Sequence, residues 1–328
     1  MPFLACRTFL DDTTISSRLT PLDTSDLSPG DVVIRSAWSG VNYKDALAVT
    51  GRGRILKTFP LNPGIDVAGV VESSADARHP VGSAVLVNGM GLGETQDGGF
   101  SERVRVPGDW IVPLPAGLTP REAMALGTAG FTAALCLHRM EENGQAPARG
   151  PIVVTGASGG VGSIAVAILA ARGYEVIAVS GREAHHAYLS EIGAASVVTP
   201  DALALGARPL ERVRFGGAID NVGGDVLAGL TRHVELWGNI ACVGMAASPD
   251  LVTSVFPMIL RGVSLLGISS ANCPMPLRTA IWNRLGGDLK PRHLARIAAT
   301  EVTLHDVMVA CSRVLDRQHV GRVLVRLG

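Results

Sequence analysis

From Pro151 to Ile268 the chain repeats one pattern: a short apolar run, a break at glycine, proline or polar residues, then a longer segment with helical spacing. The runs fall at Ile152–Thr155, Glu175–Ser180, Ser196–Thr199, Gly217–Asn221, Asn239–Val243 and Ser264–Ile268. Runs that short, with apolar residues on both faces, predict strands buried on both sides of a sheet. Their alternation with helices predicts an α/β fold with a parallel, doubly wound sheet. The first third reads differently. Strand patterns at Asp31–Ala37, Ile65–Val71, Ser83–Asn88 and Phe100–Val106 are separated by glycine and proline, which predicts irregular, mostly antiparallel β structure. A short helical pattern at Asn42–Val49 interrupts it. Thr119-Pro120-Arg121-Glu122 starts a helical region of two helices reaching Met140. The end offers helices at Leu277–Leu285 and His305–Leu315 and a strand, Val320–Leu327, that is expected to return to the first domain. The active site is then expected in a cleft between two domains, outside the carboxyl ends of the parallel strands.

The residues Val153-Val154-Thr155-Gly156-Ala157-Ser158-Gly159-Gly160-Val161-Gly162 run from strand to glycine-rich turn to helix. Small residues let the backbone approach a pyrophosphate, and the new helix turns free N–H groups toward it. A second strand follows and ends in Ser180-Gly181-Arg182. A carboxylate at that point would suit a ribose 2′-hydroxyl; a serine and an arginine suit a 2′-phosphate, so the cofactor is read as NADP(H). Glu183 is expected to open the next helix, where a carboxylate suits the N-terminus.

Composition narrows the classes. The 328 residues balance 29 basic against 29 acidic side chains, so no global field favours nucleic acid or an anionic membrane. Five scattered cysteines without a C-x-x-C pair fit a reduced, cytoplasmic protein. The N-terminus lacks a signal-peptide pattern, and the apolar stretch Val161–Ala171 is too short to span a bilayer. The eight histidines show no ligand spacing; His185 and His186 are expected to be surface residues pointing apart on a helix.

Asn42-Tyr43-Lys44-Asp45-Ala46-Leu47, Pro63-Gly64-Ile65-Asp66-Val67-Ala68-Gly69, Gly127-Thr128-Ala129-Gly130-Phe131-Thr132-Ala133 and the turn at 155–162 resemble the medium-chain dehydrogenase/reductase superfamily in its zinc-free quinone-oxidoreductase branch. Ser180-Gly181-Arg182, Phe256-Pro257-Met258-Ile259-Leu260-Arg261-Gly262 and Gly321-Arg322 are similar to its acrylyl-CoA reductase subfamily. The resemblance implies a GroES-like irregular β catalytic domain over 1–116, a Rossmann NADP-binding domain over 117–268, and a return to the catalytic domain over 269–328. It implies cofactor contacts at Tyr43, Ser158, Gly159, Gly160, Val161, Ser180, Gly181, Arg182, Asn221, Met245, Ile259, Ser270 and Arg317. Zinc members of the superfamily place cysteine and histidine where this chain has Asn42 and Tyr43, and histidine and glutamate where it has Ile65 and Asp66. No metal is expected, because these residues do not supply three converging ligands.

The resemblance implies NADPH-dependent reduction of the C=C bond of a short 2-enoyl-CoA thioester, with acryloyl-CoA going to propanoyl-CoA. Asn42 and Tyr43 are the candidate catalytic residues, with Tyr43 orienting cofactor or substrate and relaying a proton. Asp45 is expected to hold local backbone or Lys44. Lys44, Arg52, Arg54 and Lys57 are candidates for the CoA phosphates. A quinone or enone reductase uses the same hydride site and remains an alternative, as does a non-catalytic NADPH-binding protein. The apolar strand at 263–268 reads as a sheet edge and predicts a homodimer.

Overall fold

In the computed structural model, which describes residues 2–328, the chain divides into two compact units. One comprises Gly130–Ser269 and Asp288–Ile297; the other runs up to Ala129 and adds Ser270–Gly287 and Ala298–Gly328.

The first of these holds a six-stranded sheet. Its order is Ser196–Val198, Val176–Val179, Ile152–Val154, Phe215–Asp220, Val234–Cys242, Ser264–Gly267, and every neighbouring pair is parallel. The chain order is therefore 3-2-1-4-5-6, and the order in which strands are added reverses between Ile152–Val154 and Phe215–Asp220. All six expected strands are present. The apolar runs were readable because Val153, Val179, Phe215, Ala218 and Ile240 are buried in one core with Leu230 and Val234. One strand starts early, at Val234 rather than near Asn239, because Trp237 at φ +59° and a register shift by Phe215 carry an irregular stretch into the ladder.

The other unit is built around the long strand Val32–Val41. Asp66–Ser74 pairs along one side. On the other, Arg103–Val106 pairs with its first half and Val323–Arg326 with its second. Thr300–Thr303, Ala84–Asn88 and Val112–Pro113 complete a seven-stranded, mostly antiparallel sheet. The final strand, Val323–Arg326, joins this sheet beside Val32–Val41, so the end of the chain returns to the N-terminal β structure as expected. Two strands, Phe3–Asp11 and Thr14–Leu22, form a hairpin that the sequence pattern did not announce. The helical stretch Pro120–Glu142 breaks at Gly127 (φ 51°, ψ −155°), giving two helices. Glycine is required there twice over: the conformation is left-handed, and a Cβ would strike the Arg322 guanidinium and the Asp66 carboxylate.

Candidate active site

The glycine-rich motif lies at the carboxyl end of Ile152–Val154. Gly156 turns the chain at φ +57°, and the helix Gly160–Ala171 starts from the extended Gly159. A Cβ at Gly162 would strike Gly156 O and Ala157, so glycine lets the helix sit directly on the turn. Ser158, Gly159, Gly160 and Val161 are half-buried and line the turn, where the first N–H groups of the helix have no intrahelical acceptor.

Asp220, to which sequence reasoning gave no role, braces this turn. Thr155 Oγ1 donates to Asp220 Oδ1 at 2.7 Å, and Gly223 N donates to Asp220 Oδ2 at 2.7 Å. Burial pushes the Asp220 carboxyl up, against those hydrogen bonds. The available signal was a lone carboxylate closing an apolar strand. Asn221 spends its side-chain amide on Thr155 O at 2.8 Å and its main-chain N–H on Thr155 Oγ1 at 2.9 Å. It thus ties the two strand ends at the reversal point. Met245 and Ile259 are exposed on the same unit, as large apolar side chains without a core to enter.

At the end of Val176–Val179, Ser180 is buried; its N–H donates to Val198 O, and its Oγ accepts the Arg182 N–H at 3.3 Å. Gly181 and Arg182 are exposed. A Cβ at Gly181 would meet only Pro200 Cδ, at 3.9 Å. The space over Gly181 is therefore open. His185 and His186 depart from the expected surface pair: both are half-buried, and His185 closes a 3-10 turn at Glu183–His185.

In the other unit, Asn42 caps the helix Tyr43–Thr50 and joins a buried polar cluster. Asn42 N donates to Asp45 Oδ2 at 2.8 Å, and its Nδ2 donates to Asp45 Oδ2 at 3.0 Å and to Asp66 Oδ2 at 2.7 Å. Arg322 Nη1 donates to Asn42 Oδ1 at 2.9 Å and to Val41 O at 3.0 Å. Arg322 Nη2 lies 3.4 Å from Asp66 Oδ2. Asp66 Oδ1 also accepts the Thr128 hydroxyl at 2.6 Å and N–H at 2.9 Å. Asn42 therefore has both ends of its amide committed within the cluster. Tyr43, the next residue, is 58% exposed at the first helical position. Lys44 pairs with Glu94 at 2.9 Å and not with Asp45, which instead accepts the Ile65 N–H at 2.9 Å. Ser270 gives its carbonyl to the buried Arg278 at 2.9 Å. Arg317 is exposed in a left-handed turn after the helix Val307–Leu315.

Asp45 carries the most displaced carboxyl of the cluster. Burial first, and the Asp66 carboxylate second, push it up to about 7, against the hydrogen bonds from Asn42 and Ile65. A carboxyl raised by folding holds its proton longer in the folded chain, so its contribution favours the fold fully below its ordinary 3.8 and fades as pH rises to about 7. The melting temperature is expected to fall over that window through this group. In Asp45→Asn, which starts lower because an amide faces the Asn42 donors, that part of the slope should vanish in a pH series of thermal melts.

The cluster does not fit a zinc ion. Asp66 has both oxygens engaged, Asn42 has none to spare, Ile65 is a hydrocarbon, and Tyr43 points no thiolate or imidazole inward. Among the described residues no three His, Cys, Asp or Glu side chains converge as a ligand set.

Residues 28–116 match the alcohol dehydrogenase GroES-like domain, and residues 160–283 match the zinc-binding dehydrogenase family. The chain is 47% identical over 317 residues to a protein of Escherichia coli (strain K12) named probable acrylyl-CoA reductase AcuI, covering 97% of each. It is 45% identical over 314 residues to putative quinone oxidoreductase YhfP of Bacillus subtilis (strain 168), covering 95% of each. The crystal structure of yhfP with NAD bound matches with a TM-score of 0.97 at 43% identity, over 99% of each chain. That of the yhdH oxidoreductase from Salmonella enterica in complex with NADP matches with a TM-score of 0.95 at 46% identity, over 98% of this chain and 99% of that one. No helix among the described residues is long and apolar enough to cross a membrane.

Proposed function

The chain belongs to the medium-chain dehydrogenase/reductase superfamily, and from that premise we propose that it is an NADPH-dependent reductase of the C=C bond of a short 2-enoyl-CoA, converting acryloyl-CoA to propanoyl-CoA. The observation that carries the reaction class is the filled polar cluster. Asp66 and Asn42 are spent on Arg322, Thr128 and Asp45, so this cluster offers no ligand set for a Lewis acid that would stabilise an alkoxide. An activated alkene needs none. The name of the E. coli relative supports the acyl substrate, and the NADP complex of the Salmonella relative supports the cofactor.

NADPH supplies a hydride to the β-carbon of the enoyl thioester. The Gly156–Gly162 turn and the helix behind it would hold the pyrophosphate, and Ser180, Gly181 and Arg182 would hold the 2′-phosphate. Negative charge then develops on the thioester oxygen, and a proton must reach the α-carbon. Tyr43 is the group for that proton, or for orienting the acyl chain. Asn42, with its amide committed, acts as a positioning residue. Asp45 and Asp66 fix the helix start that presents Tyr43. Among the cations considered for CoA, Lys44 and Arg52 are paired with Glu94 and Asp316. Arg54 and Lys57 are exposed and are the better candidates.

The deciding experiment is NADPH oxidation with acryloyl-CoA beside a simple quinone. Turnover with acryloyl-CoA far above that with quinone supports the reading; the reverse favours a quinone reductase, the function in the name of YhfP. Tyr43→Phe is expected to lower kcat roughly tenfold. This is less than the full range of general acid catalysis, because water reaches an exposed phenol. Near-normal turnover would remove the proton-relay role.

The same reading includes a homodimer. Ser264–Gly267 is the last strand of its sheet, and the exposed Trp237 lies against Gly262 just before it. Pairing with a twofold mate would cover that edge. Sedimentation at micromolar concentration should give twice the 34.1 kDa chain mass; a monomer would contradict it.

A further inference from the structure

We propose that His185 and His186 act with Arg182 as a proton-dependent receptor for the 2′-phosphate of NADPH, so that preference for NADPH over NADH strengthens as pH falls toward the histidine range. The inference rests on the cofactor half of the proposed function and not on the acyl substrate.

The place is set by the fold. The carboxyl end of the second strand, Val176–Val179, is where a dinucleotide site reads the ribose 2′ substituent. His186 Nε2 lies 3.4 Å from Ser180 O, so its imidazole folds back over that strand end. His185 is half-buried, and its Nδ1 is buried without a hydrogen-bond partner. The groups acting on His185, after burial, are Arg182 and His186, and all three hold its pKa down. Three groups able to carry positive charge therefore stand within five residues. The other charged groups around them are accounted for. Glu183 sits on the same turn, Glu191 is engaged by Arg296 at 2.9 Å, and Asp201 lies beyond the strand Ser196–Val198, whose side chains are uncharged.

A 2′-phosphate brings a charge of about −1.5 to −2 near neutral pH. That charge offsets the repulsion among these groups and raises the proton affinity of His185, which burial, Arg182 and His186 otherwise hold down. By linkage, protons then tighten NADPH binding by the same factor. Below about pH 6 the phosphate itself takes up a proton, so the effect is read between about pH 6.5 and about pH 8.5.

Calorimetric titration with NADP+ and with NAD+, which differ only in this phosphate, tests it. The NADP+ Kd should rise about threefold to tenfold across that window, and the NAD+ Kd less than about twofold. Near neutral pH, NADP+ binding should take up protons in buffers of different ionisation heat, and NAD+ binding should not. His185→Gln, which leaves the His186–Ser180 contact in place, should lower the slope, and His185→Gln with His186→Gln should abolish it. An unchanged slope in the double variant, or equal slopes for both nucleotides, would overturn the proposal. Failure to bind NADP+ at any pH would instead overturn the cofactor reading.

Discussion

Arg182→Ala is expected to raise the KM for NADPH by roughly tenfold to a hundredfold and to change the KM for NADH by less than about twofold. A hydrogen bond to a charged group contributes about 1.5–3 kcal/mol, and each 1.4 kcal/mol is a factor of ten. Arginine presents planar donors to a phosphate, and alanine presents none. The rest of the loop should survive the change. Ser180 is held by its own N–H bond to Val198 O, and the Arg182 N–H that reaches Ser180 Oγ belongs to the backbone. Steady-state kinetics with both nucleotides decides the matter. Equal losses for NADPH and NADH would mean that Arg182 shapes the loop and does not read the phosphate.

The parallel sheet was legible because its central strands, Ile152–Val154 and Phe215–Asp220, are buried on both faces, and because glycine, proline or polar residues separate the apolar runs. The hairpin Phe3–Asp11 and Thr14–Leu22 was not. The second of these strands is mostly half-exposed and mixes Thr, Ser, Arg and Pro, which leaves no apolar run to find. The glycine-rich turn was legible because its pattern is local: ten successive residues carry strand, turn and helix start. The polar cluster was only half legible. Asn42 and Asp45 form a capping box that a three-residue spacing announces. Asp66 and Arg322 are 256 positions apart, and only the folded sheet brings them together. Asn42 was read as a catalytic candidate from its place in the family's motif, and nothing nearby in sequence shows that Arg322 donates to its carbonyl oxygen.

That long-range contact leads to the largest stability effect expected in the molecule. Arg322 is 2% exposed and Asp66 is fully buried. Arg322 also donates to Val41 O and Ala125 O, so one guanidinium joins the end of the strand Val32–Val41 to the helical turn before Gly127. Arg322→Met leaves Asp66 and Asp45 buried together without the guanidinium that pairs with Asp66. Breaking a buried pair from one side costs about 3–5 kcal/mol, against a total stability of about 5–15 kcal/mol for a typical protein. The loss should be pH-dependent. Without Arg322 the two carboxylates repel unscreened, a proton relieves them, and the deficit should be smaller at about pH 5 than at about pH 8. Asp66→Asn alone strands the arginine and should also destabilise. The two together should cost less than the sum of the singles, because neither charge is then left alone. Chemical denaturation of the three variants at both pH values gives the coupling directly. Additive losses with no pH dependence would mean that Arg322 acts by packing and carbonyl bonds alone, and that the charge of Asp66 is balanced by Thr128 and Asn42.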